Sequence, residues 1–170
     1  MKFVSPLLRL IDHVSPPDRV SAHCDIPCGI YDPHFAQVAA LTVLRMDQLI
    51  GALQPAGSEK AATDAYTAQI ARYTKTKEDH AELCKKEIDI LWHDYFRPEH
   101  LEKYPDLHTI VWNANKLASR NKQNVDADAA NQLLEATHRI AEIFWDTKGV
   151  ATRKGPSNQT VGGELVYVNN

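Results

Sequence analysis

The most constraining feature of this chain is a long run of apolar residues at helical spacing that stops at a proline. Tyr66, Ile70, Tyr73, Leu83, Ile88, Leu91 and Tyr95 recur mostly at three- and four-residue steps, the period that lines up one face of an α-helix. The run predicts a single helix over roughly 59–96, with Ser58 as its N-cap. Arg97-Pro98 must end it, because proline lacks an amide donor and disfavours helical geometry in the residue before it. A helix of this length cannot bury its stripe alone and needs partners of comparable length.

Three further segments supply them. A helix is expected over about 34–54 from Val38, Leu41, Leu44, Leu49 and Leu53, broken by QPAG at 54–57. RPEHLEKYPD reads as a connecting loop. Leu107, Ile110, Val111, Ala114 and Leu117 then predict a helix over about 106–121. After the turn NVDAD, a fourth runs over about 126–147 through Leu133, Leu134, Ile140, Phe144 and Trp145, with Gly149 as its stop. Four helices with short connections imply an all-α chain, an antiparallel four-helix bundle. Residues 150–170 are polar and glycine-containing and read as an irregular tail.

Composition sets limits on partners. The 170 residues carry a formal net charge of −3, which gives no reason to expect nucleic acid or an anionic membrane as partner. No apolar run approaches the roughly 20 residues that span a bilayer. Three cysteines, Cys24, Cys28 and Cys84, make an odd number, which argues against a disulfide framework and for a reducing compartment or a metal. Cys84 falls within the long helix and reads as a buried thiol.

The first 22 residues differ from the rest. Their three prolines, Arg9 and Asp12 interrupt any apolar core, whereas an export signal needs an unbroken apolar stretch of about 7–15 residues. They read as a leader, or pro-segment, ending in the small-residue sequence VSA. Directly after it stands HCDIPCGIYDPHF. Cutting the bond between Ala22 and His23 would give His23 a free α-amine. That amine, the Cys24 amide nitrogen and the Cys24 thiolate would form two fused five-membered chelate rings, and Cys28 could add a second thiolate. Two nitrogens and two sulfurs in a plane suit nickel(II) or copper(II), with the His23 imidazole free to approach axially; tetrahedral sulfur sites suit zinc. The competing readings are a redox C-x₃-C pair, a structural zinc site and a chance pair of cysteines. The first lacks the C-x-x-C spacing and a βαβ setting. The second lacks a matching pair of ligands elsewhere.

The string HCDIPCGIYDP resembles the N-terminal hook of the nickel-containing superoxide dismutases, whose pattern is H-C-x-x-P-C-G-x-Y-x-P. LWHDYFRPEHLEKYPDLH at 91–108 and IFWDTK at 143–148 resemble that family too. The resemblance implies a pro-segment at 1–22, a bundle with its hook over 23–149, a homohexamer, a processing protease and a cytoplasmic location. It implies one nickel ion per protomer and superoxide as substrate, disproportionated to dioxygen and hydrogen peroxide by Ni(III)/Ni(II) cycling. His23, Cys24 and Cys28 would bind the metal. Pro27 would shape the hook and Gly29 would let the chain turn away. Tyr31 resembles the tyrosine that gates the open axial face, and Asp25 and Tyr95 resemble residues that organise hydrogen bonds beside it. Arg97, where the family often has lysine, would anchor the hook or attract the anion, with Lys103 a second candidate for that attraction. Removing the leader makes the chain one charge more negative, so the attraction must be local. The family's glutamate and arginine that hold the axial imidazole fall here at Ala39 and His80, and His80 is the residue left to position the His23 ring. A non-enzymatic nickel carrier using the same hook, or a plain helical interaction module, would be the alternative functions.

Overall fold

The structure is a computed structural model and describes residues 28–169. Helix α1 runs over His34–Ala52. It opens where the Asp32 carboxylate accepts the His34 amide at 2.8 Å, occupying one of the donors that a helix start leaves unpaired. Helix α2, Lys60–Ile90, is 31 residues long, about 46 Å at 1.5 Å per residue. It begins after Glu59 rather than at a Ser58 cap, and no side chain caps it. A π-helical turn, Leu91–Tyr95, continues it, and Phe96 turns to extended geometry ahead of Arg97-Pro98 as proline requires.

The expected loop after Pro98 contains a short helix, α3, over Pro98–Lys103. Proline is pre-organised for a first helical position, and the Arg97 amide donates to His100 Nδ1 at 3.2 Å. Helix α4 covers Leu107–Gln123 and α5 covers Ala127–Thr147. Asp126 caps α5 by accepting the Ala129 amide at 3.0 Å. Gly149 follows with φ +71°, the left-handed conformation that ends helices and that glycine adopts without strain.

Helices α1, α2, α4 and α5 form the four-helix bundle. Contacts run α1 to α2, α2 to α4, α4 to α5 and α5 back to α1, so each helix lies beside an antiparallel neighbour. Fully buried Ala40, Ala81, Ala114, Ala118 and Ala130 let backbones approach closely, while Ile88, Leu107, Leu133 and Phe144 fill the volume between them. One ion pair is buried in this packing. Lys77 Nζ lies 3.3 Å from Asp47 Oδ1, with side chains 2% and 1% exposed, and it also donates to the Asn124 carbonyl.

The C-terminal segment departs from the expectation of an irregular tail. Strands β1, Thr152–Pro156, and β2, Glu164–Val168, pair antiparallel from Thr152↔Val168 to Pro156↔Glu164. An isolated two-stranded hairpin is marginal in water, and this one is held by the bundle. Val166 donates its amide to Gln37 Oε1 at 2.7 Å, and His138 Nε2 bonds the Glu164 carbonyl at 2.9 Å. Leu165 and Val166 are buried, worth about 1.5–3 kcal/mol each. The local sequence shows only a four-residue apolar run, LVYV; the partners that make it a strand lie in α1 and α5, far away in the chain.

Candidate metal centre

Alternating helix directions gather the N-terminus of α1, the π-helical end of α2 and the C-terminus of α5 at one end of the bundle. Residues 28–33 enter there. The α1–α2 register follows from two points. Phe35 shares a cleft of about 290 Å³ with Glu87 and Ile90, and further along Asp47 pairs with Lys77. Both points give residue numbers summing to about the same value, as an antiparallel pair must.

The wall of this end is aromatic. Tyr31 and Tyr95 stand with ring centroids 5.6 Å apart and tilted by 55°. Tyr95 also packs 4.4 Å from Phe144 and stacks on His100 at 5.6 Å and 22°. The π-helical turn sets Tyr95: Phe96 donates its amide to the Leu91 carbonyl at 2.9 Å, one residue further back than α-geometry, and such bulges recur at functional sites.

Hydrogen-bond direction at Tyr95 can be worked out. Thr147 Oγ1 lies 2.6 Å from the Phe144 carbonyl and 2.6 Å from the Tyr95 hydroxyl. A carbonyl only accepts, so the single Thr147 proton goes to Phe144. Tyr95 must therefore donate to Thr147. Its proton is committed to α5, and its remaining lone pair is what it can offer on the side of the N-terminal segment. Lys148 Nζ stands 4.8 Å from the Phe144 centroid and 5.5 Å from that of Tyr95, a cation held over aromatic faces.

The residues singled out from sequence divide as follows. Tyr31 and Tyr95 are brought together. Cys28, three residues before Tyr31, is exposed, and Gly29 has φ +69°, a turn geometry suited to glycine. Arg97 is exposed on the approach to α3. His23, Cys24, Asp25, Pro27 and the Ala22–His23 bond lie outside the described residues. Ala39 is buried in the core. His80 is half-buried, and its Nδ1 meets the Thr76 carbonyl at 2.8 Å. That contact makes Nδ1 the donor, since a carbonyl only accepts, and in the neutral ring Nε2 is then an acceptor. His80 stands seven residues before Glu87, about 10 Å along α2. Lys103 is paired with Asp146 at 2.5 Å, which removes most of its value as a local positive charge. Cys84 is fully buried, and desolvation with the Glu87 charge pushes its thiol up to about 12. Buried in the core and with its thiol held in the protonated form, it reads as a packing residue and not as a ligand.

Sequence reasoning passed over Thr147, His100, Lys148 and Glu87. Thr147 and Lys148 sit inside the IFWDTK string, but nothing in that string says that Tyr95 is their partner. Among the described residues no group of three histidine, cysteine or carboxylate side chains could hold a metal ion.

Comparison with known proteins gives concordant findings. The sequence model of the nickel-containing superoxide dismutase family matches residues 18–148. The superoxide dismutase (Ni) of Streptomyces seoulensis is 42% identical over 134 residues, 79% of this chain and 94% of that protein. Its counterpart from Streptomyces coelicolor is 40% identical over 134 residues, with the same coverage. Among solved structures, a nickel-containing superoxide dismutase with ligation of the oxidised state superposes with TM-score 0.61 at 38% identity, covering 75% of this chain and 99% of that one. A native form at 1.30 Å gives TM-score 0.61 at 36% identity, covering 74% and 99%.

Proposed function

Because this chain belongs to the nickel-containing superoxide dismutases, we propose that it consumes superoxide at a centre built from its own N-terminus after the Ala22–His23 bond is cut. The chain is an oxidoreductase acting on superoxide, and nickel is its cofactor. The donor chemistry fits that metal. A terminal amine, an amide nitrogen and two thiolates are strong donors suited to nickel, and His23, Cys24 and Cys28 would supply them, with the His23 imidazole as a further nitrogen donor. Nickel contributes a one-electron couple, which is the chemistry that the disproportionation of superoxide to dioxygen and hydrogen peroxide requires.

The protein's own part is access, orientation and proton supply. The observation that carries this reading is the Tyr31–Tyr95 pair, standing three residues after Cys28 on a wall anchored by Phe144 and Thr147. Tyr31 would restrict access to the metal to very small substrates. Tyr95, its proton held by Thr147, would accept a hydrogen bond from the hook side, where Asp25 would be its companion. Pro27 and Gly29 would shape the loop. His80 Nε2 would accept from the ring N–H of His23, replacing the carboxylate absent at Ala39. Arg97 would attract the anion, helped by Lys148.

Assembly as a homohexamer is part of the proposal. Ile30 and Phe35 are 75% and 63% exposed beside the Tyr31 cleft, apolar surface that a neighbouring copy would cover. Residues 1–22 would be removed by a processing protease and the mature enzyme would act in the cytoplasm. No described helix is long and apolar enough to cross a membrane.

The test is co-expression with nickel and the protease, followed by mature mass, metal content and superoxide consumption. We expect a mature chain starting at His23, one nickel per protomer, and loss of both metal and activity in Cys24→Ser and Cys28→Ser. Activity in a nickel-free protein, or in either serine variant, would overturn the reading.

A further inference from the structure

A groove of about 530 Å³ lies between α1 and the C-terminal hairpin, within the size range of small-molecule sites. One wall is hairpin, which lies past Lys148, where the family match ends. The groove is thus a feature of this chain and not of the matched bundle. Helix α1 contributes His34, Val38, Leu41 and Arg45, and the hairpin contributes Val161 and Leu165.

The polar groups in the groove are one-sided. None of its lining residues is acidic, although the chain as a whole is net negative. Arg45 is half-buried, and among the described residues it has no carboxylate within ion-pair distance. Its Nη1 donates to Gln48 Oε1 at 3.2 Å, and Gln48 Nε2 donates to the Val161 carbonyl at 3.2 Å. This relay ties the guanidinium to the hairpin and leaves its other N–H groups for a ligand. Three lining hydroxyl protons are already used: Thr42 donates to Val38, Ser157 to Gly162 and Tyr167 to Pro156. Thr160 and His34, both exposed, also line the groove, and among its lining residues Arg45 is the one permanent cation, set beside an apolar floor.

We propose that this groove binds a small amphipathic carboxylate, its head on Arg45 and its hydrocarbon body against Val38, Leu41, Val161 and Leu165. A guanidinium matches a carboxylate bidentately, and a monocarboxylate leaves no second charge to bury against the apolar wall. The site is independent of the nickel centre.

The experiment titrates the full chain with octanoate and follows amide chemical shifts, with octan-1-ol and acetate as probes lacking the charge or the hydrocarbon body. Octanoate should shift Thr42, Val161 and Leu165 and bind at least about tenfold more tightly than either control. Arg45→Gln should abolish that advantage over octanol while superoxide consumption stays unchanged. Val38→Glu, which places a carboxylate in the groove from a partly exposed helical position, should weaken octanoate more than octanol. Equal binding of octanoate and octanol, shifts confined to another surface, no saturable binding, or full octanoate affinity in a folded Arg45→Gln protein would each overturn the proposal.

Discussion

Replacing Lys77 with methionine strips the counter-ion from a carboxylate that has almost no access to water. Asp47 is 1% exposed at its side chain; its Oδ1 meets Lys77 as an ion pair without a hydrogen bond, and its Oδ2 accepts the Asp126 amide at 3.3 Å. The substitution preserves chain length and packing volume, so the loss is electrostatic. Removing one partner of a buried pair costs about 3–5 kcal/mol, because the other charge stays buried. Asp47→Leu should cost a similar amount by stranding the ammonium. The double variant removes both charges and leaves the Asn124 carbonyl and Asp126 amide underpaired, for about 1–3 kcal/mol. Urea unfolding of all four proteins checks this as a double-mutant cycle. The coupling should reach several kcal/mol, and Lys77→Met should lower the melting temperature by roughly 6–20 °C. The pair lies ten residues along α2 from Glu87, about 15 Å from the Tyr31 cleft, so specific activity of the folded variants should be unchanged. A Lys77→Met protein within about 1 kcal/mol of wild type, or singles that add, would refute the reasoning.

Other consequences are open to measurement. Thr147→Val should cost about 0.5–1.5 kcal/mol and lower superoxide consumption by loosening Tyr95, whereas Thr147→Ser, which keeps the relay, should restore both; equal behaviour of the two variants would contradict the role given to the Tyr95–Thr147 hydrogen bond. His80→Ala should alter the nickel(III) EPR spectrum and cost about 10–100-fold in metal affinity or activity, and an unchanged spectrum with unchanged activity would remove His80 from the site. At the hairpin, the hydrogen bond from Lys154 holds the Glu135 carboxyl below its usual range. A depressed carboxylate stabilises above its unfolded value and loses that contribution as pH falls through the folded one, so hydrogen-exchange protection factors of the hairpin, corrected for the intrinsic rate, should fall below about pH 4.5. The contact is largely exposed, so the effect should stay under about 1 kcal/mol, and Glu135→Gln should abolish the pH dependence.

Much of this molecule could be read along the chain because its information is local. Helical period, proline breaks, the Asp126 cap and Gly149 act within a few residues, so α1, α2, α4 and α5 follow from the string alone. The hook motif is equally local: the residues proposed to supply amine, amide and thiolate donors are adjacent in sequence, and that set suits nickel or copper. Tertiary structure decided what depends on distant partners. The hairpin exists because Gln37 and His138 meet its backbone, and its own four apolar residues could not have stabilised it. Short helix α3 is the exception: its signals, Pro98 in the first turn and the Arg97–His100 contact three residues apart, are local although the stretch reads as loop. Tyr95 could be named from its motif, but its proton direction needed Thr147, 52 residues away, and its place against Tyr31 needed the bundle to close. Local pattern settles which elements form; the antiparallel packing of those elements settles which side chains face one another, and therefore which of them can act together.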